Sequence, residues 1–145
     1  MPELRLKPSS ETDIHKIVRI YQDEISASWK YEDFEKKRLE TNHRMYSVFF
    51  GNNCIGFLIF QIILPEADLL NIAIDKEYQS KGYGARVLKN AIDLMKRSGV
   101  QKIFLEVRAT SPAVRFYENN GFKKIDIRKN YYEKSEDALI MNYLI

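Results

Sequence analysis

Three groups of residues in this chain are of types and spacings that do chemistry. Gln79-Ser80-Lys81-Gly82-Tyr83-Gly84 sets two glycines in a polar run. Glycine lets backbone N–H groups converge without interference from a Cβ, and a helix opening there adds its own unpaired N–H groups, so the stretch suits an anion, most naturally a pyrophosphate. Glu106 is a carboxylate inside the apolar run Ile103 to Val107. Such a group needs a partner or a purpose, and desolvation would make it a better acceptor of a proton, for example from a substrate ammonium. Tyr117 follows 11 residues later. A phenol of pKa ~10 can protonate a thiolate whose thiol has pKa ~8.5 only when the two are held in contact. Each group also has a plainer reading: an ordinary strand-to-helix turn, an ion pair with a lysine or arginine on a neighbouring strand, and a core aromatic beside Phe116.

The remaining reactive side chains narrow the chemistry. Cys54 is the only cysteine, so no intramolecular disulfide and no cysteine metal cluster can form, which fits a reducing, cytoplasmic setting. It starts a hairpin strand far from the three groups above and reads as structural, so a covalent intermediate on this thiol is not expected. His15 and His43 lack metal-ligand spacing, and no metal is expected. The 23 basic and 20 acidic residues leave a net charge of +3 with no long basic run, which argues against nucleic acid as the main partner. No basic-then-apolar leader stands at Met1, and the longest apolar run, Ile55 to Leu64, is broken by Gly56 and Gln61 and is too short to span a bilayer. At 145 residues the chain is read as one domain, 1–145, without a membrane partner. The oligomeric state is not encoded in any of these features.

Positioning the three groups falls to a short series of elements. Leu4 and Leu6 alternate with charged residues and predict a strand over Glu3 to Lys7, ended by Pro8-Ser9-Ser10. Ile14, Ile17, Val18, Tyr21 and Ile25 predict an amphipathic helix to about Ser26, and a more polar helix is expected from Tyr31 to about Glu40. Trp29 lies in the connection between them, where an indole is most simply a packing anchor. Met45 to Phe50, Gly51-Asn52-Asn53 and Cys54 to Leu64 form a hairpin pattern, and Ala67 to Asp75 extends it to a meander. Gly82 to Ser98 carries the apolar stripe Val87, Leu88, Ala91, Ile92 and Met95 of a helix, with Gly99 as its cap. Lys102 to Val107 reads as a central strand covered on both faces. Ser111 and Pro112 open a further helix that Gly121 ends. Strands over Lys123 to Arg128 and Ala138 to Leu144 complete the sheet, leaving Tyr131 to Asp137 as the flexible loop. The fold class is α+β: a mixed, mostly antiparallel twisted sheet of about seven strands with four helices.

Gln79-x-x-Gly82-x-Gly84 between an apolar strand and a helix resembles the pyrophosphate loop of the GNAT superfamily of N-acetyltransferases, and the order of elements is similar to that fold along the chain. Asn71-Ile72-Ala73-Ile74-Asp75, Leu105-Glu106-Val107-Arg108-Ala109, Tyr117-Glu118, Gly121-Phe122, Arg128-Lys129-Asn130-Tyr131-Tyr132 and Glu136-Asp137-Ala138 resemble the RimI-type ribosomal-protein alanine N-acetyltransferases. The resemblance runs from about Met45 to Met141. It implies acetyl-CoA as cosubstrate, with the backbone of Ile72, Ala73 and Ile74 along its pantetheine arm and the N–H groups of Gln79, Ser80, Lys81, Gly82, Tyr83 and Gly84 on its pyrophosphate. It also implies Glu106 as general base and Tyr117 as general acid. Where relatives place an asparagine on the cofactor, this chain has Thr110, with Ser111 the other candidate; a hydroxyl replaces some of an amide's hydrogen bonding. Trp29, Tyr31, Asn71, Tyr131 and Tyr132 are implied to border the groove for the acceptor, the N-terminus of a protein or peptide and in this family a ribosomal protein beginning with alanine. The alternatives are a broader N-terminal, lysine or small-amine acetyltransferase, and a non-catalytic CoA-binding sensor.

Overall fold

The computed structural model describes residues 3–132 and 135–145. After strand β1 (Leu4–Pro8), a 3-10 turn over Glu11–Asp13 leads into helix α1 (Ile14–Glu24). The Ser10 N–H donates to Asp13 Oδ2 at 3.0 Å, satisfying a backbone group that the turn leaves free. Helix α1 buries Ile14, Ile17, Ile20 and Tyr21 along one stripe. Helix α2 (Tyr31–Leu39) buries only Phe34 and carries a half-buried Glu35–Arg38 ion pair. Strands β2 (His43–Phe50), β3 (Asn53–Ile63) and β4 (Glu66–Ile74) form the expected antiparallel meander.

The second half continues with helix α3 (Tyr83–Arg97), strand β5 (Lys102–Arg108), helix α4 (Ala113–Asn119), strand β6 (Lys123–Tyr132) and strand β7 (Glu136–Leu144). The seven strands lie in the order β1-β2-β3-β4-β5-β7-β6. Every neighbouring pair is antiparallel except β4 and β5, which run parallel because α3 carries the chain from one to the other. That one parallel junction is brief. Glu66, Ala67 and Asp68 pair with Lys102, Ile103 and Phe104, and the strands then part. Strand β4 stays on β3 as far as Ile74 opposite Gly56, while β5 stays on β7 as far as Arg108 opposite Ala138. Ile59 faces Asn71 and Phe60 faces Leu69, so Leu70 is an extra residue in β4. A bulge of this kind bends its strand and increases its twist, here directly after the last β4–β5 pair.

Alternation along the strands divides the apolar side chains between two cores. Leu58, Phe60, Leu69, Leu105, Val107 and Met141 pack with α3 and Phe122, whereas Phe57, Ile59 and Ala73 pack with α1, α2 and Met45 on the other face. Strand β3, whose residues from Ile55 to Phe60 are all buried, is therefore covered on both faces, and so is β2 from Met45 to Val48. The expectation that Lys102 to Val107 would play this part is corrected: β5 buries Ile103, Leu105 and Val107 but leaves Glu106 exposed. Helices α1 and α2 cover the β2–β4 half of their face and do not extend over β5.

A second correction concerns residues 131–137. Tyr131 and Tyr132 extend β6 and Glu136 and Asp137 begin β7, with Tyr132 opposite Glu136, so the expected loop is largely a hairpin; Glu133 and Lys134 lie outside the described residues. Paired tyrosines favour the pleated surface of a strand, which a reading based on polarity alone misses. Strand β6 is the sheet's edge and is exposed along its length, carrying Lys123, Lys124, Arg128 and Lys129, charges that discourage pairing with another chain. Among the described residues no helix is long and apolar enough to cross a membrane.

Gly56 holds β3 and β4 together at Ile74, the end of β4 beyond the point of divergence. A Cβ there would lie 2.5 Å from the Ala73 carbonyl oxygen and 2.9 Å from Ile74 Cδ1, so backbone must shift to admit it. Gly56→Ala is expected to cost about 1–3 kcal/mol of stability, as overpacking does. Chemical denaturation measures this, and a variant as stable as the parent would show that the strand can move aside freely.

Candidate active site

The divergence of β4 from β5 leaves the end of β4 with one edge facing an open cleft of ≈ 620 Å3, lined there by Ile72, Ala73 and Ile74. A free strand edge carries unpaired N–H and C=O groups that an extended chain bearing amides can satisfy. The chain then turns. Asp75 Oδ1 accepts from Glu77 N at 3.2 Å, and the short 3-10 turn Lys76–Tyr78 delivers the loop to the start of α3. Ser80 (φ 60°) and Gly82 (φ 79°) both adopt left-handed backbone, a costly conformation for the serine that bends the loop into a concave nest. The N–H of Gln79 is taken by Lys76 O at 3.2 Å; those of Ser80, Lys81 and Gly82 make no hydrogen bond among the described residues. With the free N–H groups of the first turn of α3, they form a donor cluster at the positive end of a 15-residue helix.

Side chains fix the loop from below. Gln79 Nε2 donates to Ile74 O at 2.7 Å and to the Glu24 carboxylate at the end of α1, joining strand, loop and helix. Tyr78 and Tyr83 stack with Phe50 at centroid distances of 5.7 and 5.4 Å, and Lys81 Nζ lies 5.9 Å from the Tyr78 ring. The side chains of Lys81 and Tyr83 thus buttress the loop and do not line the cleft, whereas Gln79, Ser80, Gly82 and Gly84 do line it. Gly84 lets α3 lie close to α4: a Cβ there would meet Phe116 Cε1 at 3.3 Å.

Tyr117 closes the far wall of the same cleft. Ser111 Oγ accepts from Ala113 N at 3.1 Å and so caps α4, the helix that carries Tyr117. The ring packs edge-on against Phe116 and Phe122 at 5.4 and 5.7 Å, and burial pushes its hydroxyl up to about 12. Tyr117 therefore holds its proton through the whole neutral range. Thr110 and Ser111 sit at the mouth of the turn before α4; the next residue, Pro112, lines the cleft and they do not.

Glu106 belongs to a second cleft, of ≈ 640 Å3, on the opposite face of the sheet. Since Leu105 and Val107 face α3, strand alternation turns Glu106 the other way, into the stretch that α1 and α2 leave uncovered. The expected burial of this carboxylate is corrected: its side chain is 36% exposed, and Arg128 Nη1 lies 3.1 Å from Oε1. Asp68, Glu66 and Tyr132 share the cleft. The Asp68 carboxyl is raised by burial first and then by the charges of Glu66 and Glu106; the Tyr132 hydroxyl is raised by burial and by Glu106. Tyr131 is half exposed and meets Tyr132 edge-on at 5.1 Å.

The structure thus gathers Ile72, Ala73, Ile74, Gln79, Ser80, Gly82, Gly84 and Tyr117 in one cleft and sets Glu106 with Tyr132 in another. It does not bring Trp29 and Tyr31 to either. Trp29 packs on Tyr21 and Phe34 at 5.9 and 5.0 Å, the anchoring role of the plainer reading, and Tyr31 stacks on His15 at 4.7 Å. Asn71 pairs with Ile59 in the meander, between the bulge and the free edge. Sequence reasoning missed Glu24 and Ile25, which line the first cleft from the end of α1 with no local signal to mark them. It also missed Arg128, although an ion pair to Glu106 from a nearby strand was one of the readings. Burial pushes the Cys54 thiol up to about 11, which leaves it protonated and poorly nucleophilic at neutral pH. Among the described residues no group of three or more His, Cys, Asp or Glu side chains is placed to hold a metal ion.

These features fit acetyl-CoA on the first cleft: donors at the helix end for the pyrophosphate, a free strand edge for the pantetheine amides, and a phenol on the far wall. Comparison with known proteins agrees. Residues 14–122 match the model of the Acetyltransferase (GNAT) family. The chain is 37% identical over 133 residues to the [Ribosomal protein bS18]-alanine N-acetyltransferase of Haemophilus influenzae, covering 89% of this chain and 90% of that one. It is 35% identical over 134 residues to the protein of the same name from Escherichia coli (strain K12), covering 90% of each. The crystal structure of the ribosomal-protein-S18-alanine N-acetyltransferase from Escherichia coli superposes with a TM-score of 0.88 at 32% identity, over 99% of this chain and 94% of that one. The PaiA N-acetyltransferase of Thermoplasma acidophilum in complex with coenzyme A shares the fold, with a TM-score of 0.80 at 23% identity over 99% of both chains.

Tyr117 carries a signature in stability. Its hydroxyl titrates near 10 in the unfolded chain and at about 12 in the fold, so its contribution is complete below pH 10 and is lost as pH rises towards 12. Tyr117→Phe removes that dependence: the stability of the parent minus that of the variant should fall by about 1 kcal/mol from pH 9 to pH 11 in urea titrations. A constant gap would show that the hydroxyl reaches solvent.

Proposed function

Because this chain belongs to the acetyltransferase (GNAT) family and is an acetyl-CoA-dependent N-acetyltransferase closely similar to the RimI-type enzymes, we propose that its acceptor is the N-terminal α-amine of a ribosomal protein beginning with alanine. The observation that carries this reading is the conjunction of 35–37% identity over about nine-tenths of the chain with a cleft that joins the free edge of β4, the nest before α3 and Tyr117.

In this reading acetyl-CoA, when bound, supplies a thioester acetyl group and a thiol leaving group. Gln79 shapes the loop, the N–H groups of Ser80, Lys81, Gly82, Tyr83 and Gly84 hold the pyrophosphate, and the backbone of Ile72–Ile74 aligns the pantetheine arm. Glu106, reached through the gap between the parted strands, takes a proton from the acceptor's α-ammonium, directly or through water, and leaves a neutral amine with a lone pair for attack. Tyr117 gives its proton to the sulfur as the carbon–sulfur bond breaks, and the amine's remaining excess proton restores the phenol or passes to solvent. A phenol held near 12 is a poor donor to an ordinary thiolate. The same apolar wall that raises Tyr117 also disfavours a thiolate, narrowing the mismatch between them. Asn71, Tyr131 and Tyr132 border the path of the acceptor.

Two experiments test this function. Mass spectrometry of peptides differing in their first residue, each with an internal lysine, should find acetyl on the α-amine of alanine-first peptides. Acetylation of several first residues would favour a broad N-terminal enzyme, and acetyl on lysine would overturn the α-amine reading. Tyr117→Phe and Glu106→Gln should each lower kcat about 10²–10⁴-fold, the range for loss of one proton-transfer group. Acetyl-CoA affinity should stay within a few fold of the parent, and unchanged turnover in either variant would remove that residue from the mechanism.

A further inference from the structure

The second cleft presents a base that is already covered by a cation. Arg128 Nη1 lies 3.1 Å from Glu106 Oε1, and among the described residues Glu106 is its one ion-pair partner. Among the residues lining the cleft Arg128 is also the one cation; the other ionisable groups are Glu66 and Asp68 on β4, Glu106 on β5 and Tyr132 on β6. Its side chain is 54% exposed, so packing does not fix it. Its guanidinium also lies 5.4 Å from the Tyr131 ring centroid, within cation–π range. The aromatic pair is better held: Tyr132 meets Tyr131 edge-on at 5.1 Å and lies 4.2 Å beneath Arg108, which is itself bonded to Glu136 at 2.8 Å. Arg128 thus touches a carboxylate and an aromatic face at once, and the aromatic contact stays available to it when the carboxylate is taken.

We propose that Arg128 occupies on Glu106 the place taken by the acceptor's α-ammonium, yields it while keeping its contact with Tyr131, and returns once acetylation has removed the acceptor's charge. This inference rests on the role of Glu106 given above. The exchange is cation for cation, so the carboxylate is never left bare beside Asp68 and Glu66. It is also easy, because an ion pair this exposed is weak. An amine arriving as ammonium can displace the guanidinium, whereas an acetylated N-terminus brings no cation with which to compete. Arg128 is on this account a positioning residue: it selects a charged acceptor and clears the product, and it does not touch the reacting bond.

The test is steady-state kinetics at pH 8 with an alanine-first peptide and its acetylated form as product inhibitor. Arg128→Gln removes the competitor, so the acceptor KM should fall about two- to fivefold, and inhibition by acetylated peptide should strengthen by a similar factor. Arg128→Lys keeps a cation for Glu106 and should return both values towards the parent. A KM that is unchanged or raised in Arg128→Gln, with the parent active on the peptide, overturns this inference alone. No transfer by the parent to any alanine-first peptide overturns the acceptor reading and this inference with it.

Discussion

The whole site depends on one unfinished piece of pairing. Strands β4 and β5 share three residue pairs and then separate, each kept in the sheet by its other neighbour. Had they continued together, the edge of β4 at Ile72 to Ile74 would be satisfied by β5, and the first cleft would not exist. The Leu70 bulge bends β4 at the point of parting. Gly56 lets β3 follow the bent strand closely, because no side chain stands between it and the Ala73 carbonyl. The opening is thus maintained by ordinary backbone geometry, with the two cores carrying the stability on either side.

That geometry also divides the electrostatics. On the α3 side the donors are backbone N–H groups at a helix N-terminus, an arrangement suited to a large anion, and Tyr117 is kept protonated by burial. On the other side the cleft is rich in carboxylates and suited to a cation. One sheet presents opposite preferences on its two faces because α3 and α4 lie on one face while α1 and α2, on the other, lie over β2 to β4. Glu24 is the exception, a carboxylate at the rim of the first cleft. Its bond to Gln79 gives it a structural occupation, tying the end of α1 to the loop.

Much of this was legible in the chain. Periodicity located the helices and the meander, and the glycines at 82 and 84 marked a loop whose left-handed backbone the structure contains. What stayed hidden was three-dimensional. The run Ile103 to Val107 looks continuous in sequence, but only alternate residues meet a core, so Glu106 is solvated and paired where a linear reading buries it. Tyr131 and Tyr132 sit among polar residues and read as loop, yet their strand propensity and the pairing of Tyr132 with Glu136 extend the final hairpin. Trp29 packs on Tyr21 and Phe34 of the two helices it connects, the anchoring role that its place in the connection suggests. Lys81 and Tyr83 belong to the loop by sequence, but their side chains support it from behind.

The two clefts share no lining residue, the first opening where β4 and β5 part and the second lying over β5 on the face away from α3. On the roles proposed for them, the two substrates would enter by separate mouths and neither would cross the other's path. On the same roles, a single inhibitor joining an acceptor peptide to the cofactor would pass its linker through the gap between β4 and β5. Its useful length would then be set by the thickness of a sheet and not by any distance measured across the surface.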